Sequence, residues 1–354
     1  MEEKISSWQV FWLGVNLVIS TIILIVPSTL VGYAENIGWV SVAVAGTIMM
    51  IIQFLIFKYS FEFSNQGIVY DLKKIFGKYL GTLLVLVYLG ALFFIFFQTF
   101  YQGIDFLIFA MPYIPEGFFW FGIAAANAYF AYSKIENMGR VNSIVMSISV
   151  LALVIIILTN IRDFNFQHLK PIRWDGKGVI KGSLITGGWF MQIPFMLLVI
   201  KPNLKDKADV LRKSLYANLF SQILVIILVI LTIVLLSVPL TAELEFPVYN
   251  MARLSLNGLE IIIVVIWISG VIVKSGIYFF LIMKFIQNSF NLSSYSELII
   301  PFGIMMASFT WYNSQIKVPM LYYLVNVIST LILVHYPLLI IILLGYFIKA
   351  QAKR

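Results

Sequence analysis

The sequence predicts an all-α integral membrane protein of about ten transmembrane helices, and three observations predict it. Hydrophobic residues make up 61% of the chain and charged residues 11%, too little polar surface to enclose a soluble core. Apolar runs such as 223–236 show no alternation of polar and apolar residues, so they read as helices and exclude a β-barrel. Lysines and arginines gather in short connections between these runs, which is a topology signal and not the single basic face of a nucleic-acid binder.

Taken in order, the first span lies near Trp8 to Gly32. It lacks a small-residue cleavage motif and a second span follows at once, near Trp39 to Tyr59, so it is read as a membrane helix and not a signal peptide. Further runs place spans near Tyr79 to Phe109, Gly117 to Tyr132, Val141 to Asn160, Ser183 to Ile200, Ser214 to Val238, Leu259 to Gln287, Glu297 to Trp311 and Pro319 to Phe347. Most basic residues fall on the side of the N-terminus, among them Lys58, Lys73, Lys74, Lys78, Lys134, Arg140 and the segment Lys201 to Lys213. This bias puts both termini in the cytoplasm and requires an even number of spans. Trp8, Trp39, Trp311, Tyr312, Tyr322 and Tyr323 near span ends form an interfacial belt, and Lys201 to Lys213 forms a basic loop suited to anionic lipid or a partner subunit.

The chain reads as one domain, 1–354, with two halves at roughly 8–160 and 183–347. Pro27 interrupts the first span, and Thr186-Gly187-Gly188 followed by Pro194 interrupts the sixth. Proline removes a backbone donor and glycine loosens a helix, so matched breaks in the first span of each half mark a midplane solute site. Ile25, Val26 and Ser28 are its candidate residues on one side, with Thr186, Gly187 and Gly188 on the other.

Lys274 is the most informative single residue. It sits roughly 15 to 20 Å from either end of the eighth span, beyond the reach of snorkelling, and a charge at that depth has to be paired, hydrated or neutralised. It is a candidate to stand in for a coupling cation, to gate the site or to bind an acceptor on the ligand, or else a static internal anchor. Tyr278 lies one turn further along the same face. In the third span Gln98, Tyr101, Gln102 and Asp105 recur at helical spacing along one stripe, which places them on the solute path with Asp105 as a gating candidate at its external end. Asn16 with Ser20, and Asn218 with Gln222, mark other inward faces, the latter pair as packing glue, and His335 reads as structural.

Cysteine is absent and the two histidines are far apart, so no metal site and no cofactor is expected. Walker, nucleophile-elbow and zinc-protease motifs are missing, which argues against an enzyme.

Four short segments carry a family resemblance: Lys4-Ile5-Ser6-Ser7-Trp8-Gln9, Gly38-Trp39, His168-Leu169-Lys170-Pro171 and Pro202-Asn203-Leu204-Lys205-Asp206. In their order and spacing they resemble the GerAB-like spore germination permeases, the B subunits of germinant receptors. The resemblance implies a LeuT-like fold of ten helices, with a 5+5 inverted repeat and broken first and sixth helices, within the amino acid, polyamine and organocation transporter superfamily. It also implies a small germinant (amino acid, sugar or nucleoside), A and C receptor subunits as partners, and the spore inner membrane as location. Two departures from the family pattern stand out: Ser20 and Ile22 stand where relatives carry a glycine pair, and Pro194 and Met196 where relatives carry Gly-x-Glu. A cation-coupled permease and an ion channel of the germination complex are the alternative functions.

Overall fold

The computed structural model describes residues 4–133, 135–255, 259–315 and 330–352, which are helical almost throughout. The helices are α1 (Ser7–Ala34), α2 (Gly38–Phe63), α3 (Ile68–Phe76), α4 (Lys78–Ala110), α5 (Glu116–Tyr132), α6 (Ile135–Thr159) and α7 (Gly176–Phe190). They continue with α8 (Gln192–Ile200), α9 (Lys207–Leu236), α10 (Val238–Glu243), α11 (Pro247–Leu254), α12 (Leu259–Phe290), α13 (Ser296–Gln315) and α14 (Tyr336–Gln351). The expected spans fall in order on α1, α2, α4, α5, α6, the α7–α8 pair, α9, α12, α13 and α14. Lys134, the start of the last span with Tyr322 and Tyr323, and the terminal Arg354 lie outside the described residues. Among those described, seven stretches are long and apolar enough to cross a membrane, the first of them, Ser7–Phe63, holding both α1 and α2. α5, at 17 residues, is shorter, and the apolar stretch of α13 covers Ser296–Phe309.

Side-chain chemistry sets where several helices begin. Ser6 and Gln9 form a reciprocal capping box at the start of α1. Asp175 accepts from the amides of Lys177 and Gly178 at the start of α7, and Asp206 from those of Ala208 and Asp209 at the start of α9. Gly38 lets α2 leave the turn tightly, since a Cβ there would meet the Leu30 backbone at 2.9 Å.

α1 is the central element. It packs on α6, α7 and α9, and it is buried almost continuously from Val10 to Val31. α2 joins this group through α7 and α9, while α12 gathers α4, α5 and α6 on the other side and α13 packs on α5. The span Gly176–Asn203 is 89% buried over its most apolar window and Ile135–Thr159 only 28%, so the sixth span belongs to the interior and α6 to the lipid boundary. Polar glue joins the layers. Gln53 bonds to Ser214 and Asn218, Gln222 donates to the Ala43 carbonyl, Asn16 donates to Asn142, and Ser275 to Asn127.

Three details differ from the sequence expectation. α1 runs as one helix through Pro27, and the Ser28 and Thr29 hydroxyls that follow it both fold back on the Ile25 carbonyl of the same helix. The sixth span is interrupted at Met191, beyond Gly187 and Gly188, and Pro194 sits in the first turn of α8, where an amide has no intrahelical acceptor. Lys201 is fully buried and not part of an exposed basic loop.

Its ammonium pairs with Asp71 of α3, also fully buried, and approaches the Ser60 hydroxyl at 3.1 Å; the Tyr346 hydroxyl of α14 donates to the same carboxylate at 2.6 Å. This latch joins α3, the end of α8 and α14 on the face that carries the N-terminus. Removing one partner leaves the other charged and unpaired, so Lys201→Met should destabilise the protein by about 3–5 kcal/mol, and adding Asp71→Leu should restore most of the loss. Thermal unfolding in detergent checks this, and a double variant no more stable than Lys201→Met would count against it.

Candidate functional site

Lys274 lies mid-helix in α12 with no exposed surface. Its ammonium reaches across to α1, donating to the Leu17 carbonyl at 2.6 Å and to Thr21 Oγ1 at 2.8 Å. Gly270, one turn earlier, permits this approach, since a Cβ there would come within 3.2 Å of Ser20 Cβ. The indole N–H of Trp189, next to last in α7, donates to the same Thr21 hydroxyl at 2.9 Å. One threonine thus ties α1, α7 and α12 together. No carboxylate among the described residues pairs with Lys274. An ammonium carries three donors and two have acceptors here, so one N–H is left over.

One turn along α12, Tyr278 donates to Gln192 Oε1 at 3.0 Å, and Gln192 Nε2 lies 3.4 Å from the Gly188 carbonyl. Gln98 of α4 faces a small cavity bounded by Ile185, Gly188, Trp189, Gln192 and Leu331, with space for about one water molecule. On the far side of α1 a second cavity, almost wholly apolar, opens between α1, α6 and α12, with Ile23, Met146 and Trp267 among its walls.

Tyr88 lies between this region and the N-terminal face. Its ring is stacked with Phe195 at 4.8 Å and Phe285 at 5.3 Å, and its hydroxyl donates to the Phe195 carbonyl. Toward the opposite face an open recess is lined by Ser28, Thr29, Gly32 and Tyr33 of α1 and by residues 242–245. Asp105 lies in the field of Glu245, whose partial burial pushes its carboxyl up from the ordinary value. The recess is bordered by carboxylates, Glu243 and Glu245.

The structure brings together Lys274, Tyr278, Gln98 and Gly188 from the sequence candidates. The others are distributed around them. Ile25 and Val26 pack in the core, and Ser28 borders the outer recess. Thr186 donates to its own helix at Gly182, and Gly187 makes room for the Tyr336 hydroxyl, which donates to the Leu184 carbonyl. Gln102 is buried with its Nε2 unpartnered among the described residues, and Tyr101 and Asp105 continue the stripe outward. His335 lies with Nδ1 3.2 Å from the Thr330 carbonyl and Nε2 3.4 Å from the Ala91 carbonyl, so its one N–H serves one of them and the ring packs structurally between α4 and α14.

Thr21, Trp189 and Gln192 complete the site and were not among the sequence candidates. Helical spacing offered a signal for one of them, since Gln192 follows Gly188 by one turn. Leu17 contributes only its carbonyl, which no side-chain pattern reveals.

The family model described as "Spore germination protein" matches residues 4–318. The crystal structure of MhsT in complex with L-phenylalanine is similar in fold, with a TM-score of 0.70 at 12% identity, covering 88% of this chain and 80% of that one. Comparison with curated sequences gives no match. The structural likeness establishes a LeuT-type fold, and the family match spans nearly the whole sequence: this chain belongs to the spore germination protein family.

Proposed function

We propose that this chain is the membrane subunit of a spore nutrient germinant receptor, binding a small polar germinant between α1, α4, α7–α8 and α12. The observation that carries the reading is Lys274, whose buried ammonium is held on α1 by a carbonyl and a hydroxyl instead of by a carboxylate. A charge so placed is poised for a better acceptor, and intramembrane ionisable groups are functional by default. A germinant carboxylate, carbonyl or hydroxyl takes the spare N–H or draws the ammonium away from Leu17 and Thr21. Gln98, Gln192 and Tyr278 supply the remaining donors and acceptors. The bound L-phenylalanine of MhsT supports a solute of amino-acid size in this type of fold.

Once Lys274 leaves α1, the contact between α12 and α1 weakens. The ligand then favours whichever arrangement of the two helix groups gives it the tighter site. In this reading that shift is passed to the receptor A and C subunits in the spore inner membrane, with both chain termini in the cytoplasm and the two halves of the chain arranged as inverted repeats.

A cation-coupled permease is the second reading, favoured by the same ammonium: a carbonyl and a hydroxyl are oxygen donors of the kind a coupling cation would use. Uptake of labelled solute by proteoliposomes containing this chain alone, abolished by dissipating the gradient, would establish it.

In spores with this chain's receptor as the only one, Lys274→Met and Gln98→Ala should raise the germinant concentration needed for half-maximal germination by about tenfold or more at unchanged protein level, the loss of one good hydrogen bond to a charged group. Normal sensitivity in both variants would displace the site from this position. Lys274→Met should also melt no lower than the parent in detergent, because methionine fills the space without a buried charge. A purely structural lysine would instead lower Tm and leave sensitivity intact in the molecules that fold.

A further inference from the structure

The N-terminal face carries an open bay of about 590 Å³ between the α2–α3 turn, the end of α8 and the end of α12. Two ammonium groups border it, Lys73 from α3 and Lys284 from α12, both half-buried. Lys284 bonds only to the Gln287 amide, no carboxylate lines the bay, and neither lysine has an ion-pair partner among the described residues. The side-chain amides of Gln66, Asn288 and Asn291 add neutral donors and acceptors along the same walls. Elsewhere on this face Arg212 pairs with Asp209, Arg140 with Glu136 and Lys201 with Asp71, while Lys58, Lys207 and Lys213 lie against aromatic rings.

The composition selects the occupant. Two unmatched cations call for an anionic partner, and a space this large exceeds what one inorganic anion bridges. Amides on both sides pair equally well with the N–H and C=O groups of an extended peptide backbone. We propose that the bay is the docking site for an extended acidic segment of a partner protein, gripped while the latch between Lys201 and Asp71 is closed. Val69, Tyr70 and Lys73 flank Asp71 on α3, and Pro202 follows Lys201, so the bay walls are the two elements the latch holds together. A segment seated across them binds the latched arrangement more tightly than one in which α3 and α8 part, and by linkage it stabilises that arrangement. This rests on the geometry of the bay and holds whether the chain senses a germinant or transports a solute.

The test uses the full chain in nanodiscs of phosphatidylcholine, with a fluorescein-labelled octapeptide of alternating glutamate and serine as the probe. Fluorescence anisotropy at low ionic strength should show saturable binding that weakens with salt, as for partly exposed charges. Lys73→Gln combined with Lys284→Gln should weaken it about tenfold or more, while Lys177→Gln combined with Lys181→Gln, from α7 on the opposite face, should leave it unchanged. The analogous glutamine–serine peptide should not bind. Lys201→Met, whose side chain is not among those lining the bay, should reduce affinity severalfold, and undiminished affinity there overturns the coupling to the latch. Absence of saturable binding, or equal binding by the Lys73/Lys284 double variant, overturns the site. Complete displacement by millimolar inorganic phosphate, or binding seen only with phosphatidylglycerol in the disc, assigns the bay to phosphate groups and overturns the acidic segment.

Discussion

α1 is enclosed by other helices along most of its length, and this enclosure constrains everything around it. Without water or lipid headgroups at hand, each polar atom the helix offers has to be used by a neighbour or left at a cost. Asn16 meets Asn142 on α6, Ser20 folds back on its own helix, and Thr21 accepts from both Trp189 and Lys274. The candidate site is the place where two other spans, α7 and α12, spend their hydrogen bonds on the same turn of α1. A substituent change at Thr21 is felt at once in α7 and α12.

The two buried lysines show how similar residues take opposite roles. Lys201 is matched by a carboxylate and two serines near the end of a span, with Tyr346 donating to the same carboxylate, a fully compensated charge that holds elements together. Lys274 has one carbonyl and one hydroxyl in the middle of a span. A compensated pair is expensive to open and suits a latch, whereas an undercompensated one exchanges partners at small cost and suits a sensor.

Much of the fold could be read from the sequence because lipid makes spans conspicuous: long apolar runs, basic loops and interfacial aromatics are all local signals. Lys274, Tyr278 and Gln98 were legible for the same reason, as polar groups where polarity is costly. The latch was not. Asp71 lies in Tyr70-Asp71-Leu72-Lys73-Lys74 and Lys201 opens a basic stretch, so each looks solvated until chain segments far apart in sequence are brought together. The continuity of α1 was also hidden, because the rule that proline interrupts a helix takes no account of neighbours that enclose the helix on both sides of Pro27. Gly187 and Gly188 resembled a ligand approach and serve as notches for Tyr336 and Leu331. The segments that carried the family resemblance are caps and loop ties: Ser6 and Gln9 cap α1, Asp206 caps α9, and His168 bonds the Val234 carbonyl. They specify how helices enter the membrane and say little about the solute.

The chain ahead of α1 is fastened at two points. The Ile5 amide donates to the Asn203 carbonyl, and the Ser7 hydroxyl donates to Asp209 in the first turn of α9. The beginning of the central helix and the beginning of α9 are thereby coupled as one lever. A pull on the chain at Ile5 or Ser7 would act on that lever, so it would be transmitted into the core of the protein.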